Sequence, residues 1–262
     1  LFLRKKKLKK ETNVLKRKAV YSLSTLIILF SILSAVQAEA LEDIEISIDI
    51  AVYSKYIWRG FKLDDDPVLQ SGVYVSSHGF DFSVWGTADL ENDDSLNSDE
   101  MDYSLSYTYD LRNKLNLPMS ISGGYTYYDF PPVDTNSQEF FVGFALDGVL
   151  SPALTWYHDF EDESQGGGKG DYIIAEISHS IKIESSPVTV NLSGHVGYNN
   201  ELFINGDGGD IGCEVGLTFN LSDNCSLSPS VSYSIPFGDL SDSSDGNQDN
   251  EFYGGVALSF NL

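Results

Sequence analysis

Ile44-Glu45-Ile46-Ser47-Ile48-Asp49-Ile50-Ala51-Val52 is the stretch on which the fold turns. Ile44, Ile46, Ile48, Ile50 and Val52 share one parity, and Tyr56 and Trp58 continue it. Glu45, Ser47, Asp49, Lys55 and Arg59 share the other. A period of two sends successive side chains to opposite faces of an extended strand. One face of this strand is therefore apolar along its whole length, and the other is charged.

The same alternation runs to the end of the chain. Phe80, Phe82 and Val84 oppose Asp81 and Ser83; Met101, Tyr103, Leu105 and Tyr107 oppose Asp102, Ser104 and Ser106. Val188, Val190 and Leu192 oppose Thr189, Asn191 and Ser193, and Val256, Leu258 and Phe260 oppose Ala257 and Ser259. The pattern predicts strands over 44–60, 68–77, 80–90, 100–110, 117–128, 138–147, 153–160, 171–183, 188–199, 210–221, 226–236 and 251–262. No helical period of useful length interrupts them.

Two architectures absorb such a pattern. A soluble sandwich turns its apolar faces inward to one core, whereas a transmembrane barrel turns them outward to lipid and lines its lumen with polar groups. The barrel is favoured by large apolar residues on every strand, with aromatics near strand ends: Tyr56 and Trp58, Tyr107 and Tyr109, Tyr125 and Tyr127, Phe260. Such placement suits interfacial girdles. Short turns at 78–79, 111–116, 148–152, 184–187 and 222–225 alternate with longer polar loops at 61–67, 91–99, 129–137, 161–170, 200–209 and 237–250. That asymmetry belongs to outer-membrane barrels, and an even strand number leaves both ends in the periplasm. The last strand, Tyr253-Gly-Gly-Val-Ala-Leu-Ser-Phe260, resembles the signal read by the barrel-assembly machinery, departing from it in ending Phe260-Asn261-Leu262. The expectation is an all-β, antiparallel up-and-down barrel of twelve strands over 39–262, located in the outer membrane.

Residues 1–38 read as a cleavable signal peptide. A basic flank precedes the apolar run Leu23–Leu33, and Val36-Gln37-Ala38 offers small side chains to a peptidase. A retained anchor is the alternative, but Ser22, Ser24, Thr25 and Gln37 dilute the run. The leader holds nine of the 16 Lys+Arg and one of the 39 Asp+Glu residues. Seven basic and 38 acidic residues remain, a formal −31, which repels nucleic acid. Cys213 and Cys225 fall too far apart across their hairpin for a bridge, so two free thiols are expected.

Ser54-Lys-Tyr-Ile-Trp-Arg-Gly60, followed by Asp64-Asp-Asp-Pro-Val-Leu-Gln-Ser-Gly72, resembles the opening of the TorF-type porins, Gram-negative outer-membrane proteins of unknown function. Ser54, Tyr56, Trp58, Arg59, Gly60, Pro67, Leu69, Gln70 and Gly72 carry the likeness, and the Trp85-Gly86 step is similar. About 35 residues are covered. The resemblance implies a porin role without an assigned cargo.

On strand parity, the expected lumen-lining residues are Glu45, Asp49, Lys55, Arg59, Asp81, Asp89, Asp102, Glu139, Glu176 and Glu214. Arg59 should point inward near the outer rim with Lys55 one step deeper, and Asp81, Asp89 and Asp102 are candidate partners. These ions either cross-link the wall or select solute. An open lumen so lined would prefer cations, although inward Trp85, Tyr128, Phe141 and Tyr157 could narrow it. The expected partners are membrane lipid and lipopolysaccharide, the assembly machinery, and small solutes or ions.

Two other classes compete. An enzyme would need a Ser/His/acid set, and none of His78, His158, His179 and His195 lies in a recognisable nucleophile motif; no catalytic residue, cofactor or metal is expected. A structural or adhesive barrel would display acidic loops at Asp64–Asp66, Asn92–Asp94, Glu161–Glu163 and Asn205–Asp210 and have no open pore.

Overall fold

The computed structural model describes residues 43–91, 99–242 and 246–262. The expected leader and the acidic run Asn92–Asp94 lie outside them. Twelve strands form one closed antiparallel barrel: β1 (Glu45–Tyr53), β4 (Val68–Ser77), β5 (Phe80–Asp89), β6 (Glu100–Asp110), β7 (Met119–Phe130), β8 (Thr135–Leu146), β9 (Ala153–Asp159), β10 (Asp171–Lys182), β11 (Val188–Asn200), β12 (Asp207–Ser222), β13 (Cys225–Gly238) and β14 (Glu251–Asn261). Each strand pairs with its sequence neighbour, and β1 closes on β14 from Ser47↔Asn261 to Tyr53↔Gly255. Closure leaves no strand edge unpaired, a condition for crossing hydrocarbon.

Alternation becomes an inside-out barrel. Leu105 is 54% exposed and Val196 51%, whereas Glu139 is 1% and Asp210 2%. Apolar side chains look outward and charged ones are enclosed, the reverse of a soluble sandwich. Aromatic residues ring both ends of the outer wall. Tyr103, Tyr125, Phe140, Trp156 and Phe160 lie toward one rim, with Phe140 and Trp156 edge-on at 5.2 Å. Phe80 and Tyr107, 4.7 Å apart, lie toward the other. An antiparallel barrel with a lipid-facing belt between aromatic girdles is an outer-membrane barrel.

Turn chemistry sets the register. His78 (φ 52°) and Gly79 (φ 86°) are both left-handed, as a two-residue type I′ hairpin requires, and Ser77 pairs with Phe80 across them. Cys225 pairs with Ser222 and Cys213 with Tyr233, so the two cysteines stay apart as free thiols. The loop asymmetry is weaker than the sequence suggests. β7 and β8 pair as far as Phe130↔Thr135, which reduces the expected loop 129–137 to four residues. The turn after β6 is conversely enlarged by a single helical turn, Arg112–Leu115, where Arg112 pairs with Asp147.

The largest departure concerns the first expected strand, 44–60. It stops at Tyr53. Residues beyond it form a separate hairpin, β2 (Tyr56–Trp58) and β3 (Phe61–Asp64), which pairs with no barrel strand. Tyr56 and Trp58 are therefore not girdle residues.

Candidate functional site: a hairpin inside the lumen

The hairpin leaves the wall at a bend anchored on β14: the Ser54 amide donates to the Gly254 carbonyl at 2.9 Å. It reverses at Arg59 (φ 50°) and Gly60 (φ 81°), a second type I′ pair. Gly60 is required for space as well, because a Cβ there would lie 2.7 Å from both Asp210 and Leu240. Pro67 then starts the return to β4, its carbonyl accepting from the Leu90 amide at 3.0 Å.

A left-handed arginine costs roughly 1–2 kcal/mol, so something must hold the tip. Arg59 reaches across the lumen to Glu139 on β8 as a two-pronged pair, Nη1–Oε2 2.6 Å and Nη2–Oε1 2.9 Å. Its guanidinium carbon lies 4.4, 4.2 and 4.8 Å from the ring centres of Trp58, Tyr157 and Tyr172. Planar guanidinium suits both contacts, where an ammonium would not. Glu139 also accepts from the Tyr128 hydroxyl at 3.1 Å. Behind the rings, Asp210 accepts from Tyr172 at 2.7 Å and contacts His195 Nε2 at 2.7 Å.

The stem is held by charge too. Lys55 and Lys62 both pair with Glu251 on β14, the latter at 3.0 Å. The hydrogen bond to Glu251 keeps the Lys62 ammonium above the ordinary lysine value. Tyr56 donates to Glu100 at 3.0 Å. Arg59 and Lys55 thus find partners other than the expected Asp81, Asp89 and Asp102. Parity along one continuous strand could not foresee this, because the bend at Ser54 carries both residues off the wall.

Apolar packing completes the closure of this end. Phe61 buries against Ile204 and Leu240, with Trp58 and Leu63 beside them. Ile204 comes from the β11–β12 loop, and Leu240 from the one-turn helix Asp239–Asp242 after β13. Fully buried Leu202 is fixed in the same loop by Asn199, which accepts from its amide at 2.9 Å. The end of the barrel that carries the longer loops thus holds a small core of its own, built around the hairpin.

Below it lies a cavity of about 390 Å³ lined by Tyr53, Lys55, Tyr56, Trp58, Trp85, Asp102, Tyr128, Glu214 and Tyr253, among others. It is bounded by the hairpin and by β1, β5, β6, β7, β12 and β14. Six of these residues are aromatic. Tyr53 and Tyr253 fall on the parity of the polar face, where residue type alone gives no signal; the register Tyr53↔Gly255 is what reveals them.

The remaining expected lumen residues divide into two groups. Asp89 is buried and caps the chain, accepting from the Glu91 amide at 2.7 Å, so it serves the loop rather than a passage. Glu139 is consumed by Arg59. Asp81 accepts from Ser76 at 2.6 Å and Glu214 from Ser232 at 2.9 Å. Glu45 and Asp49 stand on β1 opposite Ser76 and Gly72, and Glu176 on β10 opposite His195. By strand register Glu45 and Asp81 lie at the end of the wall distant from the hairpin, Asp49, Glu176 and Glu214 nearer its middle, and Asp102 near the loop end of β6.

Among the loops, Asp64, Asp65 and Asp66 bring carboxylates within 4.8 Å of one another. The acidic stretch 205–210 is only partly loop: Asp207 starts β12, and Asp210 accepts from Tyr172 inside the barrel.

A family model described as a bacterial protein of unknown function (Gcw_chp) matches residues 37–233. Among solved structures the chain is similar to a KdgM porin, at 16% identity and a TM-score of 0.52 over 82% of this chain and 98% of that one. It is also similar to a KdgM porin in complex with disordered oligogalacturonate, at 14% identity and a TM-score of 0.50 over the same shares. An outer-membrane channel from Pseudomonas putida F1 matches at 7% identity and a TM-score of 0.49, over 87% and 100%. No curated protein sequence matches the chain significantly. The likenesses are of fold.

Proposed function

From the premise that this chain belongs to the Gcw_chp family of bacterial proteins, we propose that it is a small porin-like channel that prefers cations. The observation that carries the reading is the division of charge inside the barrel. The hairpin cations Lys55, Arg59 and Lys62 are all ion-paired at one end. On strand parity Asp49, Asp81, Asp102, Glu176 and Glu214 would line the wall below, with Lys182 the basic residue of that parity among the described strands. A water-filled passage walled by carboxylates concentrates cations by the ring-of-charge argument. Twelve strands give a barrel between those filled by side chains and the wide porins. The hairpin narrows the loop end of this one, so a small conductance is expected.

Export by segment 1–38, insertion by the assembly machinery and contact with lipopolysaccharide complete the reading. The likeness of residues 54–72 to TorF-type porins lies within the span matched by the family model and supports the same assignment.

The filled loop end favours one rival, a closed barrel with a structural or adhesive role. Planar-bilayer recording of the refolded protein separates the two. Discrete steps above the lipid background support a channel. Silence from both the native chain and a chain lacking the hairpin leaves the closed barrel.

A further inference from the structure

The cavity beneath the hairpin has more chemistry than a passage needs. Tyr56 and Trp85 stand 6.0 Å apart as one aromatic wall, and Trp58 and Tyr128, edge to face at 6.3 Å, make another. Asp102 and Glu214 enter it from β6 and β12. Asp102 hydrogen-bonds the Glu100 side chain, two residues along the same inward face. That bond requires one shared proton, so the two buried acids together carry a single negative charge. A buried negative charge without a cation beside it is costly, and a donor that carries positive charge relieves that cost best. The basic side chain at the edge of the cavity, Lys55, is already committed to Glu251. No other Lys or Arg among the described residues lines the cavity.

We propose that this cavity is a binding site for small organic ammonium ions, resting on the reading of the barrel as a cation-preferring channel. The ammonium group would donate to the Asp102 carboxyl where it lines the cavity and sit within the field of Glu214. Its alkyl portion would lie against Trp85, Tyr56 and Tyr128, whose ring faces attract cations as well as apolar groups. The volume of about 390 Å³ corresponds to on the order of ten waters, enough for a short alkylammonium ion and too little for a polymer.

The three tryptophans provide the readout. Trp58 and Trp85 line the cavity, whereas Trp156 is exposed on the outer wall. In a Trp156→Phe background, whose folding is checked by heat-modifiable migration, the emission is titrated with n-butylammonium, 1-butanol and sodium at matched ionic strength. Saturable change with butylammonium alone is expected, weakened at least tenfold by Asp102→Leu or by Glu214→Gln. Equal response to butanol, no saturable response to butylammonium, or unchanged binding in both variants overturns the proposal. The titration needs no current. Cation-selective conductance without butylammonium binding would remove the site and leave the channel; binding without conductance would do the opposite.

Discussion

Arg59 is the residue around which the loop end of the barrel is organised, and its environment makes the chain sensitive there. Replacing it with alanine leaves Glu139, 1% exposed, without its cation. Removing one partner of a buried pair costs about 3–5 kcal/mol, so Arg59→Ala should lower the urea midpoint of the vesicle-refolded barrel markedly. Glu139→Gln should recover much of that loss in the double variant, and simple additivity of the two single effects would contradict the pairing. Arg59→Lys should rescue only in part, because an ammonium can satisfy neither the two-pronged geometry nor the three rings at once. The charge of Arg59 is plain in the sequence, but its place in the lumen is set by the hairpin, and its partner cannot be read there. Glu139 is 80 positions away, and only the turn of the hairpin across the lumen brings them together.

At the scale of elements, the twelve wall strands were legible because each must meet lipid on one side and the lumen on the other, and that demand writes a period of two. Strands 68–77 and 100–110 emerge with the predicted bounds. The first strand fails where that demand ends. Tyr56 and Trp58 keep the apolar parity of Ile44–Val52, yet inside the lumen the rings pack on Phe61, Tyr128 and Trp85 rather than on lipid. Alternation alone cannot distinguish those two apolar surroundings. The signal that could is Arg59-Gly60 between Trp58 and Phe61, a two-residue turn flanked by aromatics. Because Tyr53 pairs with Val68 below the hairpin, replacing residues 55–66 by a short Gly-Ser turn should leave the barrel closed. Unit conductance should then rise several-fold; an unchanged conductance would mean the hairpin does not narrow the passage. The wall itself is tested on β6. Leu105→Arg should destabilise by about 2–4 kcal/mol, the cost of a midplane charge in lipid, while Ser106→Arg, one position on and facing the lumen, should cost little. Equal penalties in vesicle unfolding would contradict the assignment of faces.

For the whole molecule, the proposed asymmetry is between a loop end whose cations are neutralised in pairs and a remaining lumen that strand parity would line with carboxylates. The twelve-strand count and the outward belt were readable from residue type. The depth of the aromatic filling was not, since Tyr53 and Tyr253 share their parity with the small and acidic residues of their strands. Charge division of this kind should govern which ions cross, even where the hairpin limits how many. The measurement that bears most directly on it is the zero-current potential of the reconstituted barrel in a tenfold potassium chloride gradient. A potential of the sign set by potassium, reduced when Asp49, Asp81, Glu176 and Glu214 are replaced by their amides, is the predicted result. A potential of the sign set by chloride, or one unmoved by those four replacements, would contradict the account.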